Sequence, residues 1–299
     1  MNATALAPTV GLILHFRHHA HTAACLASLQ ADGIDRAVLV DNSEDDGTSL
    51  SLLRPALATL AVQGMDVAIC EPGRNLGFSA GVNWGLAEIR KRFGAVCVLL
   101  INNDARLRPG GHSALRGAIE QGNELAAARQ QSSTGGTISS IFYHRSTGLM
   151  LRRSRPGTYE YLSGCCMLLA PGLATPPLFD EAFFFYGDDI DLAWRLKQRG
   201  IPQAMVPTAL VDHETSTGSR NGSMFYEYHM ARAHWLLAGK LAGNRAQHAL
   251  YLAGRALFLP MRALLRAVRQ RTMVPVRALF AASRDVALGR RRSLTPPPG

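Results

Sequence analysis

Four short apolar runs open the chain: residues 10–16 (VGLILHF), 37–40 (AVLV), 67–69 (VAI) and 96–101 (VCVLLI). Each is separated from the next by a stretch with helical periodicity, and this alternation of short β-rich runs and helical crossovers restricts the fold severely. It predicts an α/β architecture, a Rossmann-like and mostly parallel sheet flanked by helices. In such sheets ligands bind beyond the carboxyl ends of the strands. The residues that follow the four runs are polar: 15–19, Asp41-Asn42-Ser43, 72–75 and Asn102-Asn103-Asp104.

A chain of 299 residues, 47% hydrophobic and 18% charged, buries a full core. The first eight residues lack a basic leader segment and the run 10–16 is too short to span a bilayer, so neither a signal peptide nor an N-terminal anchor is expected, and the main body is expected in the cytoplasm. Cys25, Cys70, Cys97, Cys165 and Cys166 form no CxxC pair. An odd number of scattered cysteines predicts reduced, mostly buried thiols and no zinc site. The net charge of +10 is uneven: from Lys240 onward there are 12 Lys or Arg and one acid, Asp285, while the first 239 residues hold 20 bases and 21 acids.

Four stretches carry candidate chemistry. Asp41 opens the loop DNSEDDGT at a strand end, where an acid accepts hydrogen bonds from a base imide or ribose hydroxyl; taken alone, the stretch reads more simply as an Asx turn capping the next helix. In RNLGFSAGVNWG the glycines at 77, 81 and 85 leave one helix face bare for close packing, and the start of that helix, with Arg74 and Asn75, suits a phosphate. INNDARL ends the fourth run with Asp104, a hard oxygen ligand of the kind that Mg²⁺ or Mn²⁺ on a diphosphate prefers, or else a turn aspartate. Finally FFFYGDDIDLAWRL places Asp188, Asp189 and Asp191 within four positions, at the start of a helix whose positive end favours them. Asp191 also stands four residues before Arg195, the spacing of a helical salt bridge.

Taken in order, the Asp41 loop, NLGFSAGVNWG, LLINNDA, YLSGCCMLL, LFDEAFFFYGDDIDLAWRLKQRG and the later His213 resemble the inverting family 2 glycosyltransferases of GT-A fold, in particular a bacterial branch of rhamnosyl- and galactofuranosyltransferases. The resemblance spans residues 10–237. It implies that Asp41 contacts the nucleotide's base or ribose, that Arg74, Asn75 and Asn103 lie near the nucleotide, and that Asp104 is the last acid of a DxD metal motif whose first acid is here Asn102. It further implies that Asp189 is the general base with Asp188 its acidic neighbour, and that His213 joins Asp104 at a divalent cation. Tyr186, Trp194 and Asp191 are the acceptor-side candidates. The expected reaction moves a sugar, L-rhamnose by resemblance, from a dTDP- or UDP-sugar to a hydroxyl of a cell-surface glycan or lipid-linked intermediate. The competing reading is an inactive sugar-nucleotide or glycan-binding module on the same fold. A nucleotidyltransferase is disfavoured, because HFRHHAH stands where a triphosphate-holding glycine loop belongs.

The expected organisation is a catalytic domain over 1–238, a basic helical tail over 239–292 and a disordered end over 293–299. In the tail Arg255, Arg262, Arg266 and Arg269 fall on one helical stripe, with Leu257, Phe258, Met261, Leu264, Leu265 and Val268 on another, and Pro260 is expected to kink or divide the helix. A basic amphipathic helix of this kind suits the inner face of a membrane, with arginines at anionic head groups. Packing on the protein itself is the alternative. No aromatic-interleaved basic motif points to nucleic acid.

Overall fold

The computed structural model describes residues 6–132, 137–138, 141–213, 222–290 and Leu294. In chain order the elements are β1 Thr9–His15, α1 His19–Ala31, β2 Arg36–Asp41, α2 Thr48–Val62, β3 Asp66–Cys70, α3 Gly77–Phe93, β4 Cys97–Asn102, β5 Ala105–Leu107, α4 Gly111–Glu120, β6 Leu125–Ser132 and β7 Thr137–Ile138. There follow β8 Ile141–His144, β9 Met150–Leu151, β10 Thr158–Tyr161, β11 Cys166–Leu169, α5 Asp188–Gln198, β12 Gln203–His213, α6 Met224–Lys240, α7 Arg245–Gln270 and α8 Val274–Ala287. All four apolar runs are strands, each within a residue or two of its expected bounds.

The chain divides into two compact units, one made of Met1–Ser139, Leu162–Phe179 and Leu196–Thr215, the other of Ser140–Tyr161, Asp180–Arg195 and Ser216–Gly299. The first holds a sheet in the order β3-β2-β1-β4-β11-β6-β12-β5, with β7 on β6. The strands from β3 to β4 run parallel, and β11 enters antiparallel to both of its neighbours, β4 and β6. Residues from strands and helices, among them Ile13, Leu26, Leu39, Leu99, Leu115 and Leu168, form its core. The bare face of α3 has a structural cause: a Cβ at Gly81 would come within 2.7 Å of Leu14 Cδ2, and one at Gly85 would run into Leu12. The helix thereby seats directly on β1. All five cysteines are free and buried, as expected of structural thiols.

The second unit holds the antiparallel sheet β10-β8-β9 and the helices α6, α7 and α8, around a core that includes Tyr143, Tyr159, Phe183 and Leu237. α6 runs through the boundary expected at 238/239. Pro260 lies inside an uninterrupted α7, so it does not divide the helix. The arginine stripe also corrects the sequence expectation, because three of its four members point inward rather than outward to head groups. Arg255 is 0% exposed. It donates to the carbonyls of His234 (2.7 Å), Arg145 (2.6 Å) and Ser146 (2.8 Å). Arg266 donates to the buried carboxylate of Glu227 at 2.8 Å, with Arg262 beside it at 3.5 Å. The disordered end expected over 293–299 lies outside the described residues except Leu294, whose carbonyl accepts from His229 Nε2 at 3.1 Å.

Burial holds two histidines of this unit neutral. Desolvation brings His229 down to about 4 and His234 to about 3. Both values lie below the ordinary 6.5, so as pH falls through 6.5 the unfolded chain takes up protons that the folded chain refuses, and stability is lost. The expected slope is about 1.4 kcal/mol per pH unit for each histidine. Urea unfolding at neutral pH and at about pH 5 measures it. Replacing both by Gln should flatten the acid limb, and an unchanged slope would locate the titration elsewhere.

Candidate active site

In the first unit, the polar residues expected beyond the strands gather through the parallel register, which sets His15 opposite Asp41. His15 is buried, its Nδ1 2.8 Å from Thr22 Oγ1 and its Nε2 3.0 Å from Ser49 Oγ, and desolvation lowers its basicity. Asp41 does form the Asx turn, its Oδ1 accepting from Ser43 N at 3.0 Å. Arg17, in the left-handed region at φ 61, clasps the same loop: its backbone N–H donates to Ser43 Oγ (3.0 Å) and its Nε to Ser43 O (3.1 Å). Asn42 ties the end of β2 to the start of α3, donating to Gly77 O at 3.0 Å and accepting from Leu76 N at 3.1 Å. Asn75 accepts from Gly77 N at 2.8 Å and so shapes the first turn of α3, while Arg74 is exposed. Asn103 donates to Thr22 Oγ1 at 3.2 Å, which connects it to the His15 network.

The pairing of β12 with β5 sets His213 opposite Ala105, the residue after Asp104. His213 Nε2 consequently lies 3.2 Å from Asp104 Oδ1, with side chains only 22% and 10% exposed. One hard oxygen and one imidazole at this separation fit a divalent ion of the Mn²⁺ kind that takes its other ligands from phosphate and water. Among the described residues no group of three or more such donors gathers. His18 belongs to the same neighbourhood. Its ring stacks on His21 at 5.4 Å, and its basicity is lowered by burial and by His21 while the Asp104 carboxylate pulls the other way. Sequence reasoning placed Arg17, His18 and Asn42 among the polar strand-end residues without giving any of them a role.

In the second unit the chain turns into α5 through two consecutive left-handed residues, Tyr186 (φ 63) and Gly187 (φ 87). A Cβ at Gly187 would meet that of Ala233 at 2.8 Å, so only glycine fits. Asp188, Asp189 and Asp191 then occupy the first turn, as the sequence suggested. Asp188 is buried, and desolvation followed by the charges of Asp189 and Asp191 pushes its carboxyl well above the ordinary value. Asp189 is partly exposed, one oxygen accepting from Ile190 N at 2.8 Å. Asp191 is buried and accepts from Arg195 Nε at 2.7 Å, which favours the structural pairing over an acceptor contact.

Around these acids lie tyrosines. Tyr159 donates to Ile190 O at 2.9 Å, and burial raises the hydroxyls of both Tyr159 and Tyr161, with Asp189 the next cause at Tyr161. The Trp194 ring lies 5.1 Å from that of Tyr159 with the Arg145 guanidinium 5.2 Å above it, and Tyr186 packs edge-on against Phe185 and Tyr226. Trp194 and Tyr186 are each half-buried. The arrangement separates two carboxyls, one buried and pushed well above the ordinary value, the other partly exposed.

No family profile matches the chain. Among curated proteins it is similar to the N-acetylglucosaminyl-diphospho-decaprenol L-rhamnosyltransferase of Mycobacterium tuberculosis, 26% identical over 240 residues, which cover 69% of this chain and 75% of that one. Among solved structures it is similar to GalNAc-T7 with UDP, GalNAc and Mn²⁺ (TM-score 0.59, 11% identity), matching 89% of this chain but 58% of that protein. It is also similar to the mannosyltransferase of Pyrobaculum calidifontis in complex with GDP-Man and Mn²⁺ (TM-score 0.53, 13% identity, 97% of this chain and 89% of that one). At these identities the structural likenesses establish a common fold.

Proposed function

We propose that this chain, a glycosyltransferase of GT-A fold, moves L-rhamnose from a nucleoside-diphosphate donor to a hydroxyl of a lipid-linked glycan intermediate, with inversion at the anomeric carbon. The observation that carries the reading is the Asp104–His213 pair at the strand ends, a two-donor site for a cation on a diphosphate. The rhamnosyltransferase relative supports the sugar, and its polyprenyl-diphosphate acceptor supports the acceptor class.

In this reading Asp41 receives hydrogen bonds from the nucleoside, held in place by the turn to Ser43 and the Arg17 clasp. Arg74, Asn75 and Asn103 attend the diphosphate. Asp104 and His213 would hold a divalent cation, which would supply positive charge against the charge that grows on the departing phosphate oxygen. Asp189 accepts the proton of the acceptor hydroxyl as its oxygen bonds to the anomeric carbon and the bond to phosphate breaks. Attack from the side opposite the leaving group inverts the centre. Burial pushes the Asp188 carboxyl well above the ordinary value and removes it from solvent, which leaves the base role to its more exposed neighbour.

The test is nucleoside-diphosphate release from dTDP-rhamnose and UDP-sugars, with a polyprenyl-diphosphate N-acetylglucosamine acceptor, in Mg²⁺, Mn²⁺ or EDTA. Release from dTDP-rhamnose alone, lost in EDTA, is expected. His213→Ala and Asp104→Asn should each raise the Mn²⁺ concentration needed for half-maximal rate by about tenfold or more. Full rate in EDTA would overturn the cation assignment, and release from another donor would overturn the sugar.

A further inference from the structure

The outer face of α7 is apolar. Leu250, Leu257, Met261, Leu264 and Val268 recur at spacings of seven, four, three and four, one stripe of the helix, and all lie between 47% and 79% exposed. Phe280 on α8 adds a ring that is 72% exposed. A soluble helix ordinarily turns such a stripe inward. Here the inward sector is taken by Arg255, Arg262 and Arg266, each committed to carbonyls or to Glu227.

Charge indicates what covers this face. Arg245, Arg269, Arg271, Arg277, Arg284 and Arg290 are exposed. The one acid in the described residues from 241 to 290, Asp285, is buried and accepts from the Tyr228 hydroxyl at 2.9 Å. The surface of this stretch therefore presents apolar side chains and cations with no carboxylate among them. A second copy of the chain placed stripe to stripe would bring like charges together. A surface of anionic lipid satisfies both components, acyl boundary for the leucines and phosphate for the arginines. No helix among the described residues is long and apolar enough to cross a membrane.

We infer that the exposed stripe of α7 with Phe280 of α8 is a docking surface for an anionic lipid bilayer, lying in its interface and flanked by arginines that meet the head groups. The inference needs neither the sugar nor the acceptor proposed above, and its test reads binding alone. The geometry amends the sequence expectation in one respect: Arg255, Arg262 and Arg266 are engaged within the protein, so other arginines are the ones left for head groups.

The full chain is sedimented with phosphatidylcholine vesicles and with vesicles that also contain phosphatidylglycerol. Binding to the second and not the first is expected, weakening as salt rises. Replacing Leu257, Leu264 and Val268 together by Ser should weaken binding at least about tenfold, with the circular dichroism spectrum unchanged because the residues are exposed. Arg277→Glu with Arg284→Glu should do the same. A wild-type chain that stays in the supernatant with both vesicles overturns the inference. So does a serine variant that binds as well as wild type, or a dimer that the serine variant converts to monomer without any vesicle binding.

Discussion

Asp189→Asn is expected to lower the rate of sugar transfer by about 10²–10⁴-fold while leaving donor affinity unchanged, the loss typical of a positioned general base. The amide keeps the size of the side chain and the hydrogen bond from Ile190 N but cannot take a proton. Asp188→Asn is the matched control. Its carboxyl is pushed well above the ordinary value by burial and by the charges of Asp189 and Asp191, so an isosteric neutral amide should cost less than about tenfold. Single-turnover transfer with saturating donor measures both. If the two substitutions were equally damaging, or if Asp188→Asn were the worse, the division of labour between the neighbours would be reversed.

The second large effect concerns stability. Arg255→Met should lower the unfolding free energy by about 3–5 kcal/mol, a sizeable share of the ~5–15 kcal/mol that holds an ordinary domain together. The guanidinium is fully buried, its charge shared among the carbonyls of Arg145, Ser146 and His234 and flanked by the rings of Tyr143 and Tyr251 at 5.9 and 5.8 Å. Methionine fills much of the volume and leaves those carbonyls without donors. Arg255→Lys should be intermediate, since one ammonium cannot reproduce the planar fork. Urea unfolding followed by tryptophan fluorescence measures the series, and a shift below about 1 kcal/mol for methionine would mean that the carbonyls find other donors.

Much of the first unit was legible in the sequence because a strand covered on both faces has to be apolar throughout, and β1, β2 and β4 are. The glycines of α3 were legible for a similar reason, as only their absence of side chain lets the helix meet Leu12 and Leu14. The insertion of β11 between β4 and β6 was not, because strand order depends on pairings between distant residues that no local pattern encodes. Asp104 with His213 was reached only through resemblance, since 109 positions separate them and the β5–β12 register alone brings them together. In α7 the periodicity located both stripes correctly, but the expectation that the arginine stripe meets head groups failed for Arg255, Arg262 and Arg266, which turn inward. The usual rule that apolar residues turn in fails where the interior offers a buried Glu227 and unspent carbonyls as partners for arginine.

The division of the chain bears on how it can be made. Its path passes between the units five times, after Ser139, Tyr161, Phe179, Arg195 and Thr215, and the fourth passage falls inside α5. Neither unit is a contiguous piece of polypeptide. As synthesis proceeds, the first unit has all its strands only once β12 has emerged, by which point the second has received β8–β10 and the carboxylate turn but none of its three long helices. The segments 140–161 and 180–195 of the second unit are thus made before the first is complete, and no single cut in the sequence releases either unit whole.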